Sequence, residues 1–217
     1  MDLHEELKKF SPDDFVRISW DDYIKTLTKL GDKIERYCAE NNLKIDVVVP
    51  VMRGAMVAGQ YVAYRFGVLK IVPVQYKYFF EPTEITMRQL LPFNPNGIKD
   101  DATILVVEQD HCFGTIGAQA TADIKKLMPN VRILYAADYM DYSHQINESA
   151  DAMFFGELSN GTKTLTNDEC KTLNIFEKTN LYPWERMDEE CAVISGKQFD
   201  YNDLDTVIKN SDKKQTF

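Results

Sequence analysis

Residues 104–117 read Ile104-Leu105-Val106-Val107-Glu108-Gln109-Asp110-His111-Cys112-Phe113-Gly114-Thr115-Ile116-Gly117. The apolar, mostly branched run predicts a strand over 102–107 that is buried on both faces, as strands inside parallel sheets are. Polar residues and Gly114 then predict a loop over 108–114, followed by a helix from about Thr115 to Leu127. Strand, polar turn and helix in that order make the unit from which α/β proteins are built.

Working outward, Ile45 to Val51 is a second short β-branched run, followed by a turn at Arg53-Gly54. Ala55 to Phe66 reads as a helix of small residues, which lets a helix lie close to a sheet. Further strands are expected near 69–76, 131–137 and 152–155. Upstream, Tyr23, Ile24, Leu27, Leu30, Ile34, Tyr37 and Cys38 recur at helical spacing over 21–42. Ser19 or Asp21 is the candidate cap and Asn41-Asn42 the candidate end. Strands alternating with helices imply a parallel sheet with right-handed crossovers.

The 217 residues are read as one domain. Residues 77–100 carry aromatics, prolines and mixed charge that fit neither period, and so read as a functional flap. Residues 157–178 read as a polar insertion and 205–217 as a frayed tail.

Composition narrows the function. A net charge of -9 disfavours a nucleic-acid partner, whose phosphates require clustered Lys and Arg. No apolar run reaches the length of a membrane span. The opening residues are acidic and amphipathic, without the apolar run of a secretory signal, so the cytosol is the expected location. Cys38, Cys112, Cys170 and Cys191 lie far apart, which fits free thiols better than disulfides or a zinc site.

Ligands of open parallel sheets bind beyond the carboxyl ends of the strands. The loop after the third strand is one candidate. There Gly114 and Gly117 let backbone amides approach an anion, Thr115 adds a hydroxyl, and the helix start adds partial positive charge. Glu108, at the strand tip, is placed to orient sugar hydroxyls or a hydrated magnesium ion. The other candidate is the turn after the first strand, where Arg53 beside Gly54 suits a phosphate. An ordinary capped joint explains the first pattern, and a solvated arginine the second, equally simply.

Four segments in order carry a resemblance: Ser19-Trp20-Asp21, Val49-Pro50-Val51-Met52-Arg53-Gly54-Ala55, Val106-Val107-Glu108-Gln109 and Asn180-Leu181-Tyr182-Pro183-Trp184-Glu185. Together they resemble the type I phosphoribosyltransferases, and within them the xanthine-guanine enzymes. The resemblance implies a parallel sheet of about five strands flanked by helices, with a small hood and a flexible loop at 77–100. It implies transfer of a phosphoribosyl group from phosphoribosyl pyrophosphate to a 6-oxopurine, with Mg²⁺ as cofactor and Glu108 near the metal. It also implies a homo-oligomer.

By the same resemblance, Met52, Arg53 and Gly54 hold pyrophosphate, Glu108 contacts the ribose, and Phe113 to Gly117 wrap the 5′-phosphate. Leu181, Tyr182, Trp184 and Glu185 surround the base. The chain departs from the pattern at Gln109, Cys112, Phe113 and Ile116, which replace an acid, an aspartate and two threonines. Thr179 stands where an aromatic stacks on the base, and Asp138 or Tyr139 where a lysine contacts it. Asp110 and His111 are the candidates to replace the missing acid. The alternative is a catalytically degenerate relative that binds phosphoribosyl pyrophosphate or a nucleotide as a sensor.

Overall fold

The computed structural model describes Glu5 and residues 7–80, 84–177 and 179–200. The expected tail at 205–217 lies outside the described residues. The strands are β1 (Phe15–Arg17), β2 (Val47–Met52), β3 (Lys70–Ile71), β4 (Val74–Phe80), β5 (Ile85–Leu91), β6 (Thr103–His111), β7 (Arg132–Asp141), β8 (Ala152–Ser159) and β9 (Thr179–Leu181). The helices are α1 (Trp20–Glu40), α2 (Met56–Arg65), α3 (Thr115–Leu127), α4 (Asn167–Leu173) and α5 (Met187–Ile194).

One sheet runs β5-β4-β2-β6-β7-β8, with the short β3 also pairing with β2. Its pairs are parallel except β4–β5, an antiparallel hairpin built from the segment read as a flap. The parallel α/β expectation therefore stands. A separate two-stranded sheet, β1 with β9, joins Val16 to Asn180 in parallel and forms the hood.

Alternation of side chains divides the core between the two faces of the sheet. Val48, Leu105, Val107, Leu134 and Ala136 pack under α1 and α2, against Leu27, Leu30, Ile34 and Val62. Val49, Ile104, Val106, Ile133 and Tyr135 pack on the other face, against Ala120 and Ile124 of α3. A Cβ on Gly59 of α2 would meet the Pro50 ring at 2.7 Å, which is the close approach its small residues were read to permit.

Of the two candidate caps for α1, Ser19 is the one used. Its hydroxyl oxygen accepts from the Asp22 amide at 3.1 Å. Ser19→Ala leaves that amide without its side-chain partner, and a loss of about 1 kcal/mol in urea unfolding is expected.

The ends of the central strands differ from expectation. The predicted loop 108–114 begins as strand: β6 continues to His111 because β7 continues beside it to Asp141. Glu108 pairs with Ala137, Asp110 with Tyr139 and His111 with Met140. Backbone groups make that ladder, so polar side chains do not end it. In the polar stretch 157–178, Thr166 and Glu169 form a reciprocal cap that starts α4. Among the described residues no helix is long and apolar enough to cross a membrane.

Candidate functional site

β2 and β6 are neighbours, in register from Val47–Ile104 to Pro50–Val107, so their carboxyl ends open side by side. β2 delivers Met52, Arg53 and Gly54, and the Met52–Arg53 peptide is cis. β6 leads through Gly114, at φ +72°, into the first turn of α3. That φ lies in the left-handed region, where glycine is the residue of lowest cost. No side chain caps α3, so its first amides stay available to an anion.

A cleft of about 660 Å³ lies at these strand ends. Met52, Arg53 and Gly54 form one wall, Tyr76, Lys77, Tyr78 and Phe80 of the hairpin another, and Trp184 and Glu185 a third. Of residues 112–117, Ile116 lines it. Thr115 instead lines a shallower hollow of about 450 Å³ beside Asn147, at the start of α3. Cys112 is half-buried, and all four cysteines are free, as expected. The Phe113 ring sits edge-on to His144, with centroids 5.8 Å apart.

Several expected site residues lie elsewhere. Glu108 is buried, and its carboxylate accepts the Tyr135 hydroxyl beneath the start of α3. A Cβ on Gly117 would fall 2.6 Å from Glu108 Oε2, so helix and carboxylate are in contact. His111, read as a loop residue, is only 1% exposed. Its Nδ1 lies 2.7 Å from the Tyr135 hydroxyl and its Nε2 2.8 Å from the His144 carbonyl, so both ring nitrogens are engaged.

Asp110 has one oxygen sealed without a hydrogen-bond partner among the described residues. Burial, with the nearby carboxylates of Glu185 and Glu108, holds it well above the usual carboxylate range. Neither Asp110 nor His111 lines the cleft, which corrects the expectation that one of them reaches into it.

Leu181 and Tyr182 are core residues rather than walls of a base pocket, each 1% exposed. Tyr182 packs edge-on to Tyr23 and Tyr139 and donates its hydroxyl to the Gln109 carbonyl at 2.9 Å. Asp138 is fully buried and accepts the Tyr23 hydroxyl at 2.6 Å, so the position matched to a lysine contact points into α1.

Residues that the sequence did not single out complete the cleft. Glu189 of α5 meets Arg53 Nη2 at 2.5 Å and Lys77 Nζ at 3.7 Å. Glu190 is pushed up to about 8, chiefly by burial and then by Glu185 and Glu189. Burial also raises Glu185, which accepts Gln109 Nε2 at 2.5 Å and the Tyr182 amide at 2.9 Å. The available signal was Asp188-Glu189-Glu190 ahead of an apolar run, an acidic first turn of the kind that starts a helix.

A magnesium ion held by the protein does not fit these residues. Glu108 is sealed against Tyr135, and no group of three potential ligand side chains exists among the described residues.

No protein-family model matches the chain, and no curated protein matches its sequence. Solved structures do. A purine phosphoribosyltransferase from Pyrococcus horikoshii superposes with a TM-score of 0.56, at 18% identity, over 80% of this chain and 95% of that one. A hypothetical protein from Neisseria gonorrhoeae, solved with bound ppGpp, gives 0.60 at 14% identity, over 83% and 96%. With its mostly parallel sheet, its hairpin and its hood, the chain has the fold of the type I phosphoribosyltransferases.

Proposed function

We propose that the protein binds phosphoribosyl pyrophosphate at the ends of β2 and β6 and transfers its phosphoribosyl group to a purine base. The observation that carries this is a cation, Arg53, at the end of β2 in a cleft that Ile116, in the uncapped first turn of α3, also lines. A pyrophosphate requires the first and a 5′-phosphate the second. Lys77 adds a second cation from the hairpin. Trp184 offers an aromatic face to the base, and Pro183-Trp184-Glu185 is the basis for naming a 6-oxopurine.

In the transfer, a base nitrogen bonds to the anomeric carbon as the bond to pyrophosphate breaks, and the nitrogen loses its proton. We assign that proton to Glu185, which lines the cleft beside Trp184, in place of Asp110 or His111. Glu190 is neutral below about pH 8, which spares the pyrophosphate a further negative neighbour. Positioning and exclusion of water supply the rest.

A second reading has its own support. Glu108 and His111 are locked into one buried network with Tyr135, which favours binding without transfer. Pyrophosphate release, followed with xanthine, guanine, hypoxanthine and adenine in turn, decides between the two. Release with a base establishes transfer. Thermal stabilisation by phosphoribosyl pyrophosphate without release establishes a binder, and neither result removes both readings.

Glu189 competes with any anion for Arg53 and Lys77. Glu189→Gln is therefore expected to tighten inorganic pyrophosphate about three- to tenfold by calorimetry, the scale of one partly exposed ion pair. Unchanged affinity would place the anion elsewhere.

A further inference from the structure

The sheet ends at β5, which pairs with β4 on one side and, among the described residues, with no strand on the other. The β4–β5 hairpin reaches past β2 as an arm. β4 meets β2 only at Val74 and Gln75, while its ladder with β5 continues to Phe80–Ile85. One face of the arm is held to α3, where the Tyr76 hydroxyl donates to Asp123 at 2.7 Å and Gln89 Nε2 donates to both. The outer edge of β5 has no such cover. An open edge presents a row of unpaired N–H and C=O groups, and proteins blunt such edges with bulges, prolines or several charges. β5 contains no proline and one charge, Arg88, and its ladder is regular from Ile85 to Gln89.

The charges along this edge are spaced for a copy of itself. Glu84, just ahead of β5, is exposed. Arg88 is exposed as well, its guanidinium 4.6 Å from the Phe79 ring centre, and it stands opposite Lys77 in the hairpin. Two cations directly opposite each other across a ladder repel. Antiparallel pairing with a second β5, about a two-fold axis at Thr86, sets Glu84 opposite Arg88 and Ile85 opposite Met87. The symmetry makes each of these contacts twice, so both pairs of opposite charges attract across the join. We propose that two copies of this chain dimerise edge to edge through β5, with the axis at Thr86 and one sheet continuous across it. Tyr76, Lys77, Tyr78 and Phe80 of the same hairpin wall the cleft, so the dimer steadies that wall. The proposal does not rest on phosphoribosyl transfer.

Sedimentation velocity over a dilution series is expected to show a monomer–dimer equilibrium for the parent chain. Glu84→Arg sets cation against cation at both contacts, and Arg88→Glu sets anion against anion. Each variant is therefore expected to dimerise about tenfold more weakly than the parent. Neither change threatens the hairpin, because Glu84 is exposed and Arg88→Glu gives Lys77 an opposite charge to face. Mixed in equal amounts, the two variants again present opposite charges at both contacts. Native mass spectrometry of the mixture is expected to show more heterodimer than random pairing gives. The proposal is overturned by a parent that is monomeric at every concentration, by single variants that dimerise like the parent, or by a mixture without excess heterodimer.

Discussion

Arg53→Ala is expected to weaken phosphoribosyl pyrophosphate binding about 10²-fold while leaving the fold intact. Truncating a cation that meets a multiply charged anion in a partly desolvated cleft costs about 2–5 kcal/mol, and about 1.4 kcal/mol is tenfold. The stability cost is small by comparison, because the Arg53 side chain is 58% exposed and its ion pair with Glu189 reaches into solvent. Calorimetry with phosphoribosyl pyrophosphate and with inorganic pyrophosphate, beside a urea melt, separates the two effects. Equal loss for both ligands places Arg53 on the pyrophosphate end. A folded variant that binds like the parent removes the anion site from the end of β2.

Asp138→Asn is expected to remove much of a loss of stability that the parent protein suffers between pH 5 and pH 8. Burial holds Asp138 up at about 8, against an ordinary value of 3.8. Between those values the folded chain keeps a proton that the unfolded chain has released. Its contribution to stability is thus complete below about pH 4 and is lost as pH rises to about 8, at up to about 1.4 kcal/mol per pH unit. Glu190 and Asp110 are raised in the same direction. Asp14, Asp22, Glu169 and Asp188 are shifted the other way, so their contribution is lost only in more acidic solution. Asparagine keeps an acceptor for the Tyr23 hydroxyl and carries no charge to bury. Urea unfolding at pH 5 and pH 8 should show the variant gaining on the parent at the higher pH by several kcal/mol at most. Parallel curves for the two proteins would mean that Asp138 is ionised in the fold.

Both predictions turn on residues that the sequence presents in unequal ways. Arg53 was legible as a wall of the cleft because it stands with Gly54 at the carboxyl end of a strand, where clefts of such sheets open. Asp138 was not, because a carboxyl group inside an apolar strand pattern does not show which helix it meets. Only the packing of α1 across β7 brings Tyr23 to its oxygen. The same limit explains Glu108 and His111. They looked like a polar turn, yet the extended β7 draws them into the ladder and Tyr135 seals them beneath α3. Glu189 lies far along the chain from Arg53, and no periodicity relates the two; α5 joins them by folding back over the strand ends.

What the sequence by itself determined was local: the buried runs of β2, β6 and β7, the amphipathic α1 with a cap at Ser19 or Asp21, the small-residue α2, and a glycine-containing turn ahead of α3. Those features follow from side-chain shape, periodicity and backbone preference, which neighbouring residues carry within themselves. The tertiary structure decided how far the central strands run, which residues of the hood are core, which carboxylates are sealed and which face the cleft. These depend on groups distant in the chain meeting in a medium that tolerates neither an unpaired charge nor an unfilled space, and that condition arises only when the chain is folded.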